Sequence, residues 1–263
     1  MLQLLQRIGS RLDLGVPMGN DDCEHFQLSL LQSWQLCQVS GQGISTVHVA
    51  TRQQRLITAL AINGPRPRGY LAGLLWPEKS ETRALESLRV SVHIVSRQIP
   101  GLLVIEGAVL SLSQHVGIDL QRLRAGIVEL GQIGPNGNAA SCVRQLRDAE
   151  LLPGWYDDWV LFEQARLRQD RLQALLHIAS ESLGRGDYEV AVQASRAAQE
   201  LEPLYESAVR LLIEAERQRG NNASALRAYE LFQAQLKQDL GLQPSPVLQR
   251  LVADLVSLPA AWD

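Results

Sequence analysis

Apolar and polar residues alternate in the first part of the chain in the pattern of half-buried β-strands. The faces of the predicted strands hold Phe26, Leu28 and Leu30 in the first strand, and Val47 and Val49 in the third. The sequence Ser-Gly-Gln-Gly at 40–43 has the composition of a turn between strands. Its Gly-x-Gly is too short to be a phosphate loop, because no helix with further glycines follows it.

After these strands the apolar spacing changes to the period of an α-helix. Helices are predicted over 51–63, 68–76 and 81–99, because Gly-Pro or Pro follows each apolar stretch. Residues 102–112 then hold a glycine between two short apolar strands, which is typical of a β-hairpin. This order of elements predicts a winged helix-turn-helix over residues 25–118.

The third predicted helix has an ordinary apolar stripe and an unusual opposite face. At about 100° per residue the stripe consists of Leu85, Leu88, Val92, Val95 and Ile99. The preceding Ser80 is placed to cap the helix with its side chain. The opposite face mixes cations with apolar side chains and has polar flanks: Arg83, Glu86, Val90, Ile94 and Arg97 on the face, and Ser87, Arg89 and His93 beside it.

Three explanations account for this outward face. Scattered apolar residues are common on protein surfaces, and a protein interface also accepts the mixture. A DNA major groove accepts it too, because Arg reaches guanine or phosphate, Ser and His hydrogen-bond, and small apolar groups meet the thymine methyl. Its place directly before a hairpin favours DNA. The candidate DNA-binding residues are then Arg83, Ser87, Arg89, Val90, His93, Ile94 and Arg97, with Arg66 and Arg68 in a Gly-Pro-Arg-Pro-Arg turn as phosphate contacts or as solvated side chains.

The chain beyond residue 118 is predicted to be all helical and repetitive. Segments that begin at Gly186 and Gly220 overlay with an offset of 34 residues. Their matched positions carry small or apolar residues: Ala191 on Ala225, Ala194 on Ala228, and Ala198 on Phe232. This is the tetratricopeptide period of two antiparallel helices per unit. With a looser first pair of helices, the repeats predict an α-helical array over 119–258, interrupted by a Gly/Pro/Asn break at 131–138.

An aromatic cluster precedes a long predicted helix that ends at Gly184. We expect Trp155, Tyr156 and Trp159 to staple this helix to the segment before it, and a ligand cage is the alternative. Farther along the helix, three arginines are interpreted chiefly as a solvated face. The alternative is that they contact a protein partner or the front domain. These three candidate partner-binding residues are Arg166, Arg168 and Arg171.

Charge and cysteine usage narrow the class of protein. Residues 1–125 hold 12 Arg and Lys against 9 Asp and Glu, a net +3, whereas residues 126–263 hold 13 against 19, a net −6. A basic front half fits a polyanion contact, and an acidic back half fits a partner module. The three cysteines show no paired spacing, which predicts a reducing cytoplasm and no metal site or disulfide. Residues 1–24 are expected to be a flexible leader and 259–263 a tail.

The sequence also argues against a membrane protein and against an enzyme. No apolar run reaches the roughly 18 residues that a membrane span needs. Motifs for a nucleophilic serine, a helical zinc site or a phosphate loop are absent from the sequence. Asp157 and Asp158 are adjacent, so on a helix they project about 100° apart and do not form a catalytic pair. We therefore expect no catalysis and no cofactor or metal.

Several stretches resemble the small actinobacterial antibiotic regulatory proteins. They are RQQRLITALAING (52–64), LLWPEKSETRALESLR (74–89), VGIDL (116–120), LLPGWYDDWVLFEQARLRQDRLQAL (151–175) and DLGLQPSPVLQRL (239–251). The likeness covers about residues 26–256. It implies a mainly α protein, with an OmpR-type winged helix-turn-helix followed by a bacterial transcriptional activation domain with tetratricopeptide-like repeats.

The resemblance implies a sequence-specific transcription activator. Such proteins bind promoter direct repeats in double-stranded DNA, typically as two protomers, and hold RNA polymerase and its sigma factor, usually at gene clusters for specialised metabolites. The chain departs from the family at Ile94-Val95-Ser96-Arg97, where an R-L-R-R ending is common, so two cations are missing. Either it reads a different, more T-rich site, or it binds DNA weakly and needs a partner. The alternative function is a helical-repeat adaptor with a degenerate winged domain.

Overall fold

The computed structural model describes residues 25–41, 43–133 and 139–257, and these residues are mainly helical. The strands are β1 His25–Ser29, β2 Gln35–Ser40, β3 Gly43–Thr46, β4 Arg66–Pro67, β5 Leu103–Glu106, β6 Val109–Leu112 and β7 Val116–Ile118. The helices are α1 Thr51–Asn63, α2 Arg68–Leu75, α3 Glu81–Gln98, α4 Asp119–Ile133, α5 Ala139–Asp148, α6 Asp158–Gly184, α7 Tyr188–Leu201, α8 Glu206–Gln218, α9 Asn222–Leu240 and α10 Pro246–Ser257. The predicted leader 1–24, the tail 259–263 and positions 134–138 of the predicted break lie outside the described residues.

The first sheet has the order β3-β2-β1-β7, with β7 parallel to β1 and the other pairs antiparallel. The predicted alternation along the first strand is confirmed, because Phe26, Leu28 and Leu30 are all buried. The predicted third strand was misplaced. β3 ends at Thr46 and is exposed along its length, so Val47 and Val49 lie in the connection to α1, where they pack against the core.

The second sheet forms the wing, with the order β4-β6-β5. β5 and β6 are the two arms of the predicted hairpin, and Gly107 at its tip has a φ of 59°, which favours glycine. The Gly-Pro-Arg-Pro-Arg segment is more than the predicted turn. Arg66 and Pro67 pair with β6 as an edge strand, a position that tolerates proline because no ladder N–H is needed there.

Helix α3 has the buried stripe that its sequence predicts. Leu88, Val92, Val95 and Ile99 are buried, Leu85 packs partly buried against the same core, and Ala84 and Ser91 are buried as well. The Ser91 hydroxyl donates to the carbonyl of Ser87 at 3.0 Å, which satisfies a polar group in the core. Ser80 occupies the N-cap position, but its side chain makes no capping hydrogen bond, so the predicted side-chain cap is wrong.

The helices after α4 stack in chain order as a repeat array. Two turns 34 residues apart close their helices in the same way, since Gly186 and Gly220 both have positive φ. Asp187 N–H donates to the Ser182 carbonyl at 2.9 Å, and Asn221 N–H donates to the Glu216 carbonyl at 2.9 Å. These bonds are the Schellman closure of a helix end. The period seen in the sequence is therefore a period of local structure.

The winged half and the helical half share one hydrophobic core. Leu151, Leu152, Val160 and Leu167 belong to the same buried cluster as the strands and helices of the winged half. Trp155 and Trp159 pack against this cluster, whereas Tyr156 is 81% exposed. Trp155 and Trp159 therefore tie the start of α6 to the core that the two halves share, whereas the predicted stapling role is wrong for Tyr156.

Polar contacts reinforce this junction. A β-bridge joins Leu31 to Leu151, and the Asp119 carboxylate accepts backbone N–H groups of Leu30 at 2.9 Å, Leu31 at 3.1 Å and Leu120 at 2.7 Å. Burial raises the pKa of Asp119 above its ordinary value, and these three hydrogen bonds act in the opposite direction. The first residue of α4 thus ties the helical half to the loop after β1.

Candidate nucleic-acid interface

The outward face of α3 is open to solvent, as the DNA hypothesis requires. Val90 is 51% exposed although it is apolar, and Arg83, Arg89, His93 and Arg97 are exposed around it. The remaining two predicted contact residues, Ser87 and Ile94, are half-buried at the edges of this face. The helical array does not bury the face, and we call it the reading face of α3.

The cations of the reading face have no carboxylate partner. Among the described residues, no Asp or Glu oxygen lies within 4.0 Å of the charged groups of Arg83, Arg89 or Arg97. Several arginines of the helical array are paired instead, such as Arg147 with Glu200 at 2.8 Å. The positive charge of α3 is therefore available to an external anion.

The Ser87 hydroxyl already accepts a hydrogen bond within the protein. The ammonium of Lys79 donates a hydrogen bond to its hydroxyl oxygen at 3.1 Å. The Ser87 O–H remains able to donate to an acceptor outside the protein. In a major groove such acceptors are the N7 and O6 atoms of guanine, the N7 atom of adenine and the O4 atom of thymine.

Arg66 and Arg68 lie at the wing rather than on the reading face. The Arg66 guanidinium stacks over the Tyr70 ring, 5.4 Å from its centroid. Arg68 begins α2, and its backbone N–H donates at 2.9 Å to the carbonyl of Ala108 in the tip of the hairpin. Both residues are half-buried, and they lie on β4 and at the start of α2 rather than on α3.

A cleft of about 510 Å³ opens beside the reading face, between the first turns of α1 and α3. It is lined by Arg52, Glu78, Lys79, Ser80, Arg83, Glu86, Ser87 and Val90. The Arg52 guanidinium lies 5.3 Å and the Lys79 ammonium 5.8 Å from the centroid of the Trp76 ring. The sequence did not single out Arg52 or Lys79. Lys79 closely follows Trp76 in the chain, so its proximity to the ring has a local signal in the Trp-Pro-Glu-Lys stretch. Arg52 is distant in sequence, and no local pattern places it at the same ring.

The three arginines proposed for a partner divide into exposed and buried residues. Arg166 and Arg168 are exposed, and Arg166 lies 3.7 Å from Glu163. Arg171 is 6% exposed, so its interpretation as part of a solvated face is wrong. Its guanidinium donates to the carbonyls of Leu146 and Arg147 at 2.5 Å each, and thereby binds the C-terminal end of α5.

The helical array has a groove of its own. A depression of about 370 Å³ is lined by Arg196, Gln199, Glu200, Leu212, Glu216, Ser224, Arg227, Ala228 and Leu231 on α7, α8 and α9. Glu216 is 2% exposed and is compensated by Arg196 at 2.6 Å and by the amide of Asn221 at 3.0 Å. Leu231 is 64% exposed at the edge of the groove. The groove therefore places an exposed apolar side chain beside an ion pair whose carboxylate is buried.

The described part of the chain has neither a candidate metal-binding cluster nor a helix suited to span a membrane. It contains no group of three or more His, Cys, Asp or Glu residues arranged to hold a metal ion. None of its helices combines the length and the apolar character that crossing a membrane requires.

Comparison with known proteins identifies the class of molecule. The sequence model of the bacterial transcriptional activator domain matches residues 120–255. The regulatory protein AfsR of Streptomyces coelicolor is 30% identical over 219 residues, which are 78% of this chain and 22% of that protein. The structure of Mycobacterium tuberculosis EmbR in complex with a low-affinity phosphopeptide superposes with a TM-score of 0.68 at 21% identity, over 89% of this chain and 65% of that one.

The chain therefore belongs to a family of bacterial transcriptional regulators. It belongs to the bacterial transcriptional activator domain family, whose model spans its helical array, and is a regulator of the antibiotic regulatory protein type. Families of this kind are generally non-enzymatic. The EmbR likeness supports the arrangement of a winged helix followed by tetratricopeptide-like repeats. The chain spans about a fifth of the length of AfsR and just under two thirds of the EmbR chain.

Proposed function

We propose that this regulator binds double-stranded promoter DNA with the reading face of α3 and activates transcription by holding RNA polymerase and its sigma factor. The observation that carries the proposal is the exposed Val90 among arginines whose guanidinium groups have no Asp or Glu oxygen within 4.0 Å in the described part of the chain. A solvent-facing helix surface is mainly polar and charged, and single apolar residues on it are common, so the proposal depends on the combination of Val90 with the arginines around it. Base edges and phosphates accept both residue types, since the thymine methyl takes an apolar contact and phosphates take cations.

The wing supplies a second contact in this proposal. Arg66 and Arg68 beside the hairpin would neutralise phosphates, while α3 reads bases. In this proposal two protomers bind side by side on a direct repeat, as the family resemblance implies. The regulated genes would be specialised-metabolite or similar clusters, as the family resemblance implies. The site of action is the cytoplasm, at the nucleoid.

The proposal is tested by selecting duplexes bound by the full chain from a random pool. The selected duplex is then titrated with wild type, Arg89→Ala and Arg97→Ala over about 50 to 200 mM salt. Each variant is expected to bind more weakly and to lower the salt slope by about 0.9 if one phosphate contact is lost. Arg217→Ala, which removes an exposed cation from α8, is the matched control. If both α3 variants bind as wild type does, α3 is not the reading helix.

The number of protomers is read from the same selection. A direct repeat in the enriched sequences, with half-sites at fixed spacing, supports two protomers per site. A single unrepeated motif contradicts that part of the proposal.

The groove of the helical array favours a second candidate function, a protein-interaction adaptor. Leu231 is exposed beside the Arg196–Glu216 ion pair, and repeat arrays bind partners on such surfaces. The exposed Arg166 and Arg168 of α6 offer another partner surface. Genomic footprinting separates the two functions. A regulator that reads DNA itself leaves a reproducible footprint without its protein partner, whereas an adaptor loses the footprint when that partner is removed.

A further inference from the structure

We infer that the cleft between α1 and α3 binds a DNA phosphodiester through Arg52 and Lys79, a backbone contact beside the base-reading positions. This inference rests on the proposed function, because it needs a duplex on the reading face. Arg52 is in the first turn of α1, and Lys79 lies in the connection from α2 to α3. Two separate elements therefore bring a cation to one place.

Trp76 holds the two cations together. Its ring is 5% exposed and fixed in the core, with the Arg52 guanidinium 5.3 Å and the Lys79 ammonium 5.8 Å from its centroid. Cation–π attraction restrains both side chains before any ligand arrives. Less conformational entropy is then lost when they close on a phosphate.

The same two cations are tied to the reading helix through Ser87. Lys79 donates to its hydroxyl at 3.1 Å, and Arg52 donates to its carbonyl at 3.5 Å. Val90, the exposed apolar residue of the reading face, also lines the cleft. A duplex seated on Val90 would therefore present a backbone phosphate beside the cleft, because the phosphates border the major groove.

The charge of the cleft suits an anion. Among the described residues no carboxylate oxygen lies within 4.0 Å of the charged groups of Arg52 or Lys79. Glu78 and Glu86 also line the cleft, so it carries negative as well as positive side chains. Since neither glutamate pairs with them, the two positive groups are free to bind one phosphodiester.

The test compares full-length wild type with Arg52→Gln/Lys79→Gln on the selected duplex and on a scrambled duplex of equal length. We expect the salt slope to fall by about 1.8 and the affinity at 0.1 M salt to fall about 60-fold, because each lost contact removes about 0.9 from the slope. The loss should be similar on both duplexes, since phosphates carry no sequence information. The swap Arg52→Lys/Lys79→Arg should keep the wild-type slope.

Arg217→Gln/Lys237→Gln is the matched control, because it removes two exposed cations from the helical array. Should the double variant unfold, the single variants carry the test, each with a slope lower by about 0.9. Wild-type binding with an unchanged slope in the variants overturns the inference and leaves the proposed function standing. A wild type that binds neither duplex overturns both. Inorganic phosphate that binds the wild-type cleft without any change in duplex affinity of the variants assigns it to a free anion and also overturns the inference.

Discussion

The guanidinium of Arg55 lies 2.5 Å from the carboxylate of Asp157, and this pair joins α1 of the winged half to the N-cap residue of α6. Both side chains are about three-quarters buried, and Arg55 also donates to the carbonyl of Leu75 at 3.0 Å. The pair connects two of the sequence stretches that carry the family resemblance, RQQRLITALAING and LLPGWYDDW. Part of that resemblance is therefore a signature of the junction between the halves.

Arg55→Ala is expected to lower the free energy of unfolding by about 1–3 kcal/mol, because a carboxylate that is about three-quarters buried and a carbonyl lose their donor. Urea unfolding followed by tryptophan fluorescence measures the change. Arg147→Ala is the control, since its pair with Glu200 is more than half exposed and should contribute about 1 kcal/mol or less. Equal losses in the two variants would contradict a special role for the junction pair.

Asp119→Ala is expected to cost about 1–3 kcal/mol, because the N–H groups of Leu30, Leu31 and Leu120 lose their acceptor. The measurement is again urea unfolding at neutral pH. A loss no greater than that for an exposed surface aspartate, such as Asp239→Ala, would show that water replaces the carboxylate.

The same carboxylate predicts a pH dependence. Because burial raises the pKa of Asp119, the folded chain binds this proton more tightly than the unfolded chain, and acidification favours the folded state at this group. The difference in unfolding free energy between wild type and Asp119→Asn should therefore shift in favour of wild type as the pH falls from neutral toward the ordinary value of 3.8. A shift in the opposite direction would show that the three hydrogen bonds outweigh desolvation.

Arg171→Ala is expected to destabilise the chain by about 2–4 kcal/mol, since a buried guanidinium is lost and two carbonyls at the end of α5 lose their donors. Thermal unfolding by circular dichroism gives the shift. Arg168→Ala, an exposed neighbour on the same helix, should change stability by less than about 0.5 kcal/mol. If Arg171→Ala loses binding to a partner, the loss would therefore reflect destabilisation of the fold and not the loss of a contact with that partner.

Val90→Glu is expected to reduce affinity for the selected duplex by more than about tenfold, because a carboxylate would face base edges and phosphates. Its stability should stay near that of wild type, since the side chain is 51% exposed. Anisotropy titration measures the affinity. Val247→Glu, the same exchange at a 56% exposed valine of α10, controls for the change in net charge. Undiminished binding by Val90→Glu would remove Val90 from the interface.

Local patterns predicted most of the fold. The alternation of Phe26, Leu28 and Leu30 needs only neighbouring residues, and so does the helical stripe of α3. The repeat depends on the spacing of Gly186 and Gly220, which close their helices alike. In each case the chemistry that sets the structure lies within a few residues, and the sequence displays it.

The errors concern polar and aromatic residues whose partners are distant in the chain. In the sequence nothing distinguishes Arg171 from a surface arginine. Its two carbonyl partners lie about 25 residues earlier in the chain, at the end of α5. Trp155 and Trp159 pack against a core to which both halves contribute. The exposed cations of α3 followed from helical periodicity, whereas the meeting of Arg52 with Lys79 at Trp76 depends on how two elements cross.

The bridge between Leu31 and Leu151 has a practical consequence for anyone who wishes to excise the DNA-binding portion. A fragment truncated before Asp119 would lose the acceptor for the backbone N–H groups of two residues. It would also expose the apolar residues of the winged half that share a core with Leu152 and Leu167. Such a fragment should aggregate. A fragment that keeps these residues covered has to extend from β1 past Leu167, well into the long helix α6.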